Sequence, residues 1–168
     1  MQDLRELVAE IPDFPKPGIL FRDISPLLRD RFTDTVAAVD ALFTADEWAA
    51  TDVVAGIESR GFILAAALAE RHGKGFVPIR KKGKLPPPVV DISYDLEYGS
   101  GVLEMQQGRG RMLLVDDVLA TGGTLRASAA LAAQAGYEVH GVAVLIDLGF
   151  VPGFACGGHP VLSVIAYG

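Results

Sequence analysis

Two spacings of apolar residues alternate along the chain. Short continuous apolar runs predict buried β-strands, and segments with apolar residues three or four positions apart predict amphipathic helices. The runs that predict strands are residues 52–56, 75–80, 111–116, 139–146 and 161–166. The segments that predict helices are residues 3–10, 33–43, 62–70 and 125–135.

The order of these elements after residue 52 predicts an α/β fold, with a mostly parallel sheet that helices flank on both faces. Segment 11–18 contains three prolines and a glycine and is expected to be a loop. Residues 89–103 are expected to form two extended segments around a polar turn. We expect a single domain over residues 1–168, with ligands bound beyond the carboxyl ends of the parallel strands.

The net charge and the cysteine and histidine content argue against several kinds of binding partner and metal site. The 168-residue chain has a formal net charge of −6, which argues against non-specific binding to nucleic acid or to a membrane surface. Its single cysteine, Cys156, allows no internal disulfide and no cysteine cluster for zinc. His72, His140 and His159 share no metal-ligand spacing, so we expect them to be surface or structural residues. Without a signal peptide or an apolar run of about 18 residues, a cytoplasmic location is expected.

The sharpest motif is LLVDDVLATGGT at residues 113–124, where an apolar strand is expected to end in two carboxylates before a glycine turn opens a helix. Glycines let backbone N–H groups approach an anion, and the helix N-terminus adds unpaired N–H donors. Thr121 and Thr124 add hydroxyl donors. This combination predicts a site for a phosphate monoester. The alternative is a capping aspartate followed by a turn without function.

Asp116 and Asp117 indicate a second binding function beside the phosphate site. Two like charges at the end of a buried strand repel each other and lose hydration. The paired hydroxyls of a ribose would donate hydrogen bonds to both carboxylates. A sugar that carries positive charge in its transition state would also be stabilised by them.

The 113–124 segment resembles the motif that binds 5-phosphoribosyl-1-pyrophosphate (PRPP) in type I phosphoribosyltransferases. The resemblance implies the fold of that family, with an N-terminal hood at about residues 11–30, a core at about 31–168 and a flexible lid loop. It also implies that Asp116 and Asp117 serve the ribose hydroxyls. The residues that would hold the 5-phosphate are Ala120, Thr121, Gly122, Gly123 and Thr124.

PRPP carries a second anion, and two cationic segments follow predicted strands. GIESRG at residues 56–61 offers Arg60, and residues 80–84 hold four cations within five positions. Arginine forms bidentate hydrogen bonds to phosphate. Lys82 alone is expected to lie on a solvated face. Both segments are similar to those of adenine phosphoribosyltransferases, and this similarity implies pyrophosphate contacts for Arg60, Arg80, Lys81 and Lys84.

Two further segments resemble the same family. IPDFPKPGILFRDISPLL is similar to the hood that recognises the base, which implies backbone pairing of adenine around Leu20, with Phe21 or Arg22 near the ring. YDLEYG at residues 94–99 is similar to the lid loop, which implies that Glu97 exchanges a proton with the purine and that Tyr98 shields the site. Without the other motifs, Phe21 would be ordinary packing and YDLEYG would equally fit a solvated hairpin turn.

The resemblance implies a purine salvage enzyme that converts adenine and PRPP to AMP and pyrophosphate. Catalytic roles would fall to Glu97, Tyr98 and Arg60. Mg²⁺ would be carried by PRPP rather than by protein side chains, and the enzyme would be a homodimer. A sister enzyme for hypoxanthine, guanine or xanthine, and a PRPP-responsive regulator, are the alternatives. The chain departs from the family in a shortened segment at 105–114 and a brief C-terminal segment after Asp147.

Overall fold

The computed structural model describes residues 3–96 and 99–168. The chain forms two compact units, Met1–Ala38 and Val39–Gly168. The described part of the first unit begins with a 3-10 helix and ends within the second α-helix. Its elements are the 3-10 helix Leu4–Leu7, strands β1 (Ala9–Pro12) and β2 (Leu20–Asp23), and helices α1 (Ser25–Asp30) and α2 (Phe32–Asp40).

The predicted helix over residues 3–10 is wrong in its second half. Residues of β1 pair with β2 in an antiparallel hairpin, with Glu10 opposite Arg22. Pro12 and Pro15 prevent a helix from continuing, so the chain turns back and its backbone groups find partners across the hairpin. The predicted loop consequently starts after Pro12. The helix predicted over residues 33–43 is confirmed as α2, although it ends at Asp40.

The second unit is built on one eight-stranded sheet. The strand order is β5-β6-β4-β3-β7-β8-β10-β9. Five central strands, β4-β3-β7-β8-β10, are parallel, and the strands added at either side are antiparallel. The strands are β3 (Val53–Ile57), β4 (Gly75–Lys81), β5 (Val89–Leu96), β6 (Gly99–Gln106), β7 (Gly110–Leu119), β8 (Tyr137–Asp147), β9 (Ala155–Cys156) and β10 (His159–Ala166). This sheet confirms the predicted α/β class.

Three helices complete the second unit: α3 (Ala45–Ala50), α4 (Arg60–Arg71) and α5 (Gly123–Gln134). Leu125, Leu131 and Ala132 of α5 share a buried cluster with Leu114 of β7 and Val144 of β8. Burial of one such aliphatic side chain contributes about 1.5–3 kcal/mol. The same cluster anchors the start of α5, and therefore the turn that precedes it.

Strand β7 is longer than predicted, and this changes where the two aspartates lie. The strand was expected to end at Asp116, but it continues to Leu119 because its pairing with β8 runs on to Asp147. Its other neighbour, β3, pairs with it only as far as Val115. Asp116 and Asp117 therefore lie within β7, at the point where β3 no longer covers its edge. This position lies toward the carboxyl ends of the parallel strands, where the sequence predicted that ligands bind.

No helix in the described ranges is both long and apolar enough to span a bilayer.

Candidate active site

The glycine turn before α5 surrounds a small cavity. Gly122 is the N-cap of α5 with φ +82°, and Arg126 N–H donates the first helical hydrogen bond to its carbonyl at 2.9 Å. The backbone N–H groups between Gly122 and Arg126 have no partner within the helix, so they are available to an anion. The cavity has a volume of about 90 Å³. Its lining consists of Asp116, Val118, Leu119, Ala120, Thr121, Gly122, Gly123, Thr124 and Leu125.

A phenylalanine from the C-terminal segment packs directly on this turn. Any Cβ at position 122 would overlap the ring of the buried Phe154, so both the positive φ and the close approach require glycine. The guanidinium of Arg126 lies 5.0 Å from the centre of the same ring. The turn is therefore fixed by packing against Phe154 as well as by helix α5. Sequence reasoning missed Phe154, since the C-terminal segment shows no recognisable motif.

Asp116 and Asp117 are both 8 % exposed. Burial, and then the charge of Asp117, raises the pKa of Asp116 well above its ordinary value, and Arg60 opposes this only in part. Arg60 Nε lies 2.6 Å from Asp117 Oδ2. Although this is an ion pair, no donor in the described ranges meets Oδ2 with hydrogen-bond geometry. Within the described part of the chain, Asp117 Oδ2 thus lacks the hydrogen bond that a buried carboxylate oxygen normally accepts.

The turn between β3 and α4 brings a helix close to the aspartates. A Cβ at Gly61 would lie 2.6 Å from Asp116 Oδ1, so only glycine lets α4 begin here. Arg60 is the first residue of α4, and the peptide between Glu58 and Ser59 is cis. This close approach is what places the Arg60 guanidinium beside Asp117.

The cationic segment after β4 converges on one carboxylate, Glu58. Lys84 Nζ donates to Glu58 Oε1, and Arg80 Nε and the Lys81 backbone N–H donate to Oε2 at 3.3 and 3.1 Å. Burial alone would raise the pKa of Glu58, but the hydrogen bonds from Lys84, Lys81 and Arg80 outweigh it and lower the pKa to about 2. Sequence reasoning missed Glu58 because it looked in this motif only for cations.

A second carboxylate fixes the backbone of the same segment. Glu104, 3 % exposed, accepts hydrogen bonds at Oε1 from the N–H groups of Lys84 and Leu85, both at 2.7 Å. Burial works against its charge, but backbone N–H groups from Gly83 to Leu85 prevail and lower the pKa of Glu104. Lys82 instead extends to Asp91, with 3.0 Å between Nζ and Oδ2, and its side chain is largely exposed. The solvated role predicted for Lys82 is thereby confirmed.

A larger cleft of about 480 Å³ joins these parts. Two of its lining residues, Asp116 and Thr124, also line the small cavity, so the two spaces have a common wall. The cleft is lined by Ile57, Glu58, Ser59, Arg60, Lys81, Tyr94, Leu103, Asp116, Asp117 and Thr124. Tyr94 is a lining residue that sequence reasoning did not single out.

Three of the remaining predicted residues belong to the first unit. Leu20, Phe21 and Arg22 belong to β2 of the first unit, where Phe21 makes an edge-to-face contact with Phe14 at 5.1 Å and Arg22 pairs with Glu10. Two predicted catalytic residues, Glu97 and Tyr98, fall outside the described residues.

The two histidines with resolved partners are structural, as predicted. His72 stacks on Trp48 at 3.7 Å and contacts Asp40 at 2.6 Å, and His140 Nε2 lies 3.0 Å from the Thr51 hydroxyl. Within residues 3–96 and 99–168, no three His, Cys, Asp or Glu side chains form a group that could hold a metal.

Known proteins that are similar to this chain identify its family. The family model for the phosphoribosyl transferase domain matches residues 37–149. An adenine phosphoribosyltransferase from Hydrogenovibrio crunogenus is 52 % identical, over 98 % of this chain and 96 % of the relative.

Solved structures agree. The crystal structure of adenine phosphoribosyltransferase from Rhodothermus marinus superposes with a TM-score of 0.84 at 42 % identity, covering 97 % of this chain and 96 % of that one. The Giardia lamblia enzyme complexed with 9-deazaadenine gives a TM-score of 0.84 at 36 % identity, covering 99 % and 97 %. The chain belongs to the phosphoribosyl transferase family and, within it, to the adenine phosphoribosyltransferases.

Proposed function

We propose that the two adjoining cavities bind PRPP as one extended substrate and that adenine displaces its pyrophosphate to form AMP. The observation that carries this proposal is the wall shared by the small cavity and the larger cleft, formed by Asp116 and Thr124. PRPP has a phosphate at one end, a ribose in the middle and a pyrophosphate at the other end. Anion donors, paired carboxylates and cations follow one another in the same order along the site.

The phosphate end would bind in the small cavity. There, the N–H groups of residues 120–124 and the hydroxyls of Thr121 and Thr124 would donate to the 5-phosphate. The ribose would follow at Asp116 and Asp117, which are both buried, and its two hydroxyls would donate hydrogen bonds to these carboxylates.

The pyrophosphate would bind at the cationic side of the cleft. Arg60 and Lys81 line the cleft, and Arg80 and Lys84 converge on Glu58, which also lines it. Four cations so close together would match an anion of high charge in a protein whose overall charge is negative.

The chemical step needs few groups. The bond between ribose C1 and the pyrophosphate oxygen breaks, and its electron pair leaves with pyrophosphate. Positive charge then develops on the sugar ring, where Asp116 and Asp117 would stabilise it. Adenine N9 forms the new bond to C1 and gives up its proton. Glu97 is proposed to exchange that proton, and Tyr98 to shield the site from water.

The base would be recognised by the first unit. We propose that residues 1–168 act as one phosphoribosyltransferase domain, with a hood at about 11–30 and a core at about 31–168. In the hood, the backbone near Leu20 would pair with the adenine edge, and Phe21 or Arg22 would lie near the ring. The similarity of this segment to adenine phosphoribosyltransferases supports the assignment.

Magnesium would enter with the substrate. Mg²⁺ in proteins often keeps several waters and binds substrate phosphates with only one or two carboxylates. In this proposal PRPP carries the Mg²⁺, and Asp116 and Asp117 serve the ribose hydroxyls rather than the metal. When bound, the ion would neutralise charge on the leaving pyrophosphate.

Family membership also supports a homodimer in the cytoplasm. Two large apolar side chains on neighbouring elements, Ile63 of α4 and Phe76 of β4, are 41 % and 38 % exposed. Such side chains suit a contact with a second copy. The single Cys156 is consistent with a reducing compartment.

Assays with one purine base at a time test the proposed function. The protein is incubated with PRPP and Mg²⁺ and with adenine, hypoxanthine, guanine or xanthine in turn, and nucleotide is measured by chromatography. We expect AMP from adenine and no nucleotide from the other bases. Formation of IMP or GMP at a comparable rate would reject adenine specificity, and a failure with all four bases would reject the enzyme assignment.

A further inference from the structure

Glu58 binds three donors of the segment proposed to hold pyrophosphate. Its Oε1 accepts from Lys84 Nζ, and its Oε2 accepts from Arg80 Nε and from the Lys81 backbone N–H. The Glu58 side chain is only 10 % exposed, so these donors replace most of its hydration. Glu58 is thus paired with Arg80 and Lys84, two of the cations proposed to bind the pyrophosphate of the substrate.

The backbone of the segment depends on this carboxylate only at Lys81. Glu104 holds the N–H groups of Lys84 and Leu85 from the other side, at 2.7 Å each. Glu58 therefore acts chiefly on the charged ends of Arg80 and Lys84. Removal of its charge should release those ends while the loop keeps its path.

Pyrophosphate and Glu58 compete for the same donors. Because its pKa is about 2, Glu58 is negatively charged throughout the pH range of an enzyme assay. It also lines the cleft, so its charge repels an anion bound there. Pyrophosphate must therefore displace an existing ion pair as well as approach a like charge.

We propose that Glu58 is an internal counter-anion that holds Arg80 and Lys84 in the free enzyme and weakens pyrophosphate binding, so that this product is released readily. Glu58 is a positioning residue, since it acts through two cations and not on the reacting atoms. The inference rests on the proposed pyrophosphate site.

The test is titration of inorganic pyrophosphate into the full chain by calorimetry. Glu58→Gln removes the charge but retains an oxygen that can accept from the Lys81 N–H. We expect the dissociation constant of pyrophosphate to fall roughly tenfold, the scale expected for loss of one nearby like charge in a partly buried site. The affinity for AMP, which fills the phosphate cavity and the ribose site, should change less than twofold. A loss of orientation alone would instead weaken pyrophosphate binding, so unchanged or weaker binding overturns the inference.

Two control variants separate charge from structure. Glu138→Gln removes the same charge from a side chain that is 70 % exposed and pairs with Arg111, and it should leave pyrophosphate affinity unchanged. Glu58→Asp keeps the negative charge in the same turn and should tighten binding far less than Glu58→Gln. An aspartate variant that binds as tightly as the glutamine variant would overturn the inference, because charge would then be irrelevant.

Lys84→Ala distinguishes the inference from the function on which it rests. If Lys84→Ala leaves pyrophosphate affinity unchanged, the proposed pyrophosphate site itself is wrong. If Lys84→Ala weakens binding while Glu58→Gln fails to strengthen it, the site stands and the role of Glu58 is refuted.

Discussion

Asp116 is a carboxyl group that the protein buries beside a second one, Asp117. Both aspartates are 8 % exposed, and the pKa of Asp116 is raised by burial and then by the charge of Asp117. In the folded protein Asp116 keeps its proton at pH values where the unfolded chain has lost it. Its contribution to the free energy of unfolding is thus largest below about pH 3.9 and declines as pH rises through the raised folded pKa.

Asp116→Asn should therefore stabilise the protein at pH 7.5. We expect a melting temperature that rises by roughly 2–4 °C for each kcal/mol of relieved repulsion. At pH 3.5 both proteins are neutral at this position, and their melting temperatures should converge. The catalytic efficiency for PRPP should fall at least tenfold, because a neutral amide stabilises positive charge poorly. Calorimetry at the two pH values and initial rates test this; a lower melting temperature at pH 7.5 would contradict the burial argument.

Residue types and spacing were enough to predict the glycine turn before α5 and the two aspartates that precede it, but not the contacts of Glu58 or Glu104. The glycines and carboxylates of LLVDDVLATGGT are close together in the sequence, so the local sequence is sufficient to predict their arrangement. Glu58, by contrast, meets Lys84 across 26 positions, and Glu104 meets it across 20. Such pairings depend on strand register, which local sequence does not contain. The contributions proposed for Glu97 and Tyr98 stay predictions.

At the scale of elements, the turn before α5 depends on the loop that follows β8. Phe154 packs on Gly122, and the Arg126 guanidinium lies over the same ring. The turn is thus held in a fixed shape before any ligand arrives. A rigid donor array loses less entropy on binding than a loop that must first order.

Gly122→Ala tests this packing. Position 122 has φ +82°, and an added Cβ would overlap Phe154. We expect AMP affinity to fall at least tenfold, because the turn must move away from the ring. Gly158→Ala is the matched control, since its φ is +83° with no atom within 4 Å of the added Cβ. Both variants share the backbone strain of about 1 kcal/mol, so only the overlap differs. Equal AMP affinities, measured by calorimetry, would rule out a role for Phe154.

The elements that local pattern predicted well are those with continuous apolar runs. Strands β3, β4, β8 and β10 were each found within three residues of their expected bounds. Short helices were missed: α1 and α3 have six residues each, too few for a periodic signal. A local signal did exist for α3, because Thr44 and Glu47 form a capping box. The error at residues 3–10 arose because a hairpin partner overrode a helical pattern.

At the scale of the whole molecule, the α/β class followed from element order, but the strand order did not. Strand β3 lies between β4 and β7, and a hairpin of β5 and β6 adds to the far side of β4. Register with β6 reaches only Arg80 and Lys81, so Pro78 meets a partner strand on one side alone. These arrangements follow from packing between distant segments, which no window of sequence reports.

The chain is predicted to form a homodimer. Ile63 and Phe76 are exposed, and Phe76 makes an edge-to-face contact with Phe62 at 5.7 Å. Sedimentation equilibrium at micromolar concentration should give twice the mass of one chain. Phe76→Glu should shift the equilibrium to monomer, because it buries an unpaired charge in the contact. Ala130→Glu on the exposed side of α5 should not. A monomeric parent protein would refute the dimer.

The wall that Asp116 and Thr124 give to both cavities has a consequence for ligand choice. Inorganic phosphate and pyrophosphate, as separate fragments, must each surrender their own translational freedom to occupy the two halves. A single molecule with both anions surrenders it once, and its second end then binds at a high effective concentration. In the proposed binding mode, this chelate advantage favours intact PRPP over its hydrolysis products, and it is lost once the C1 bond is cut.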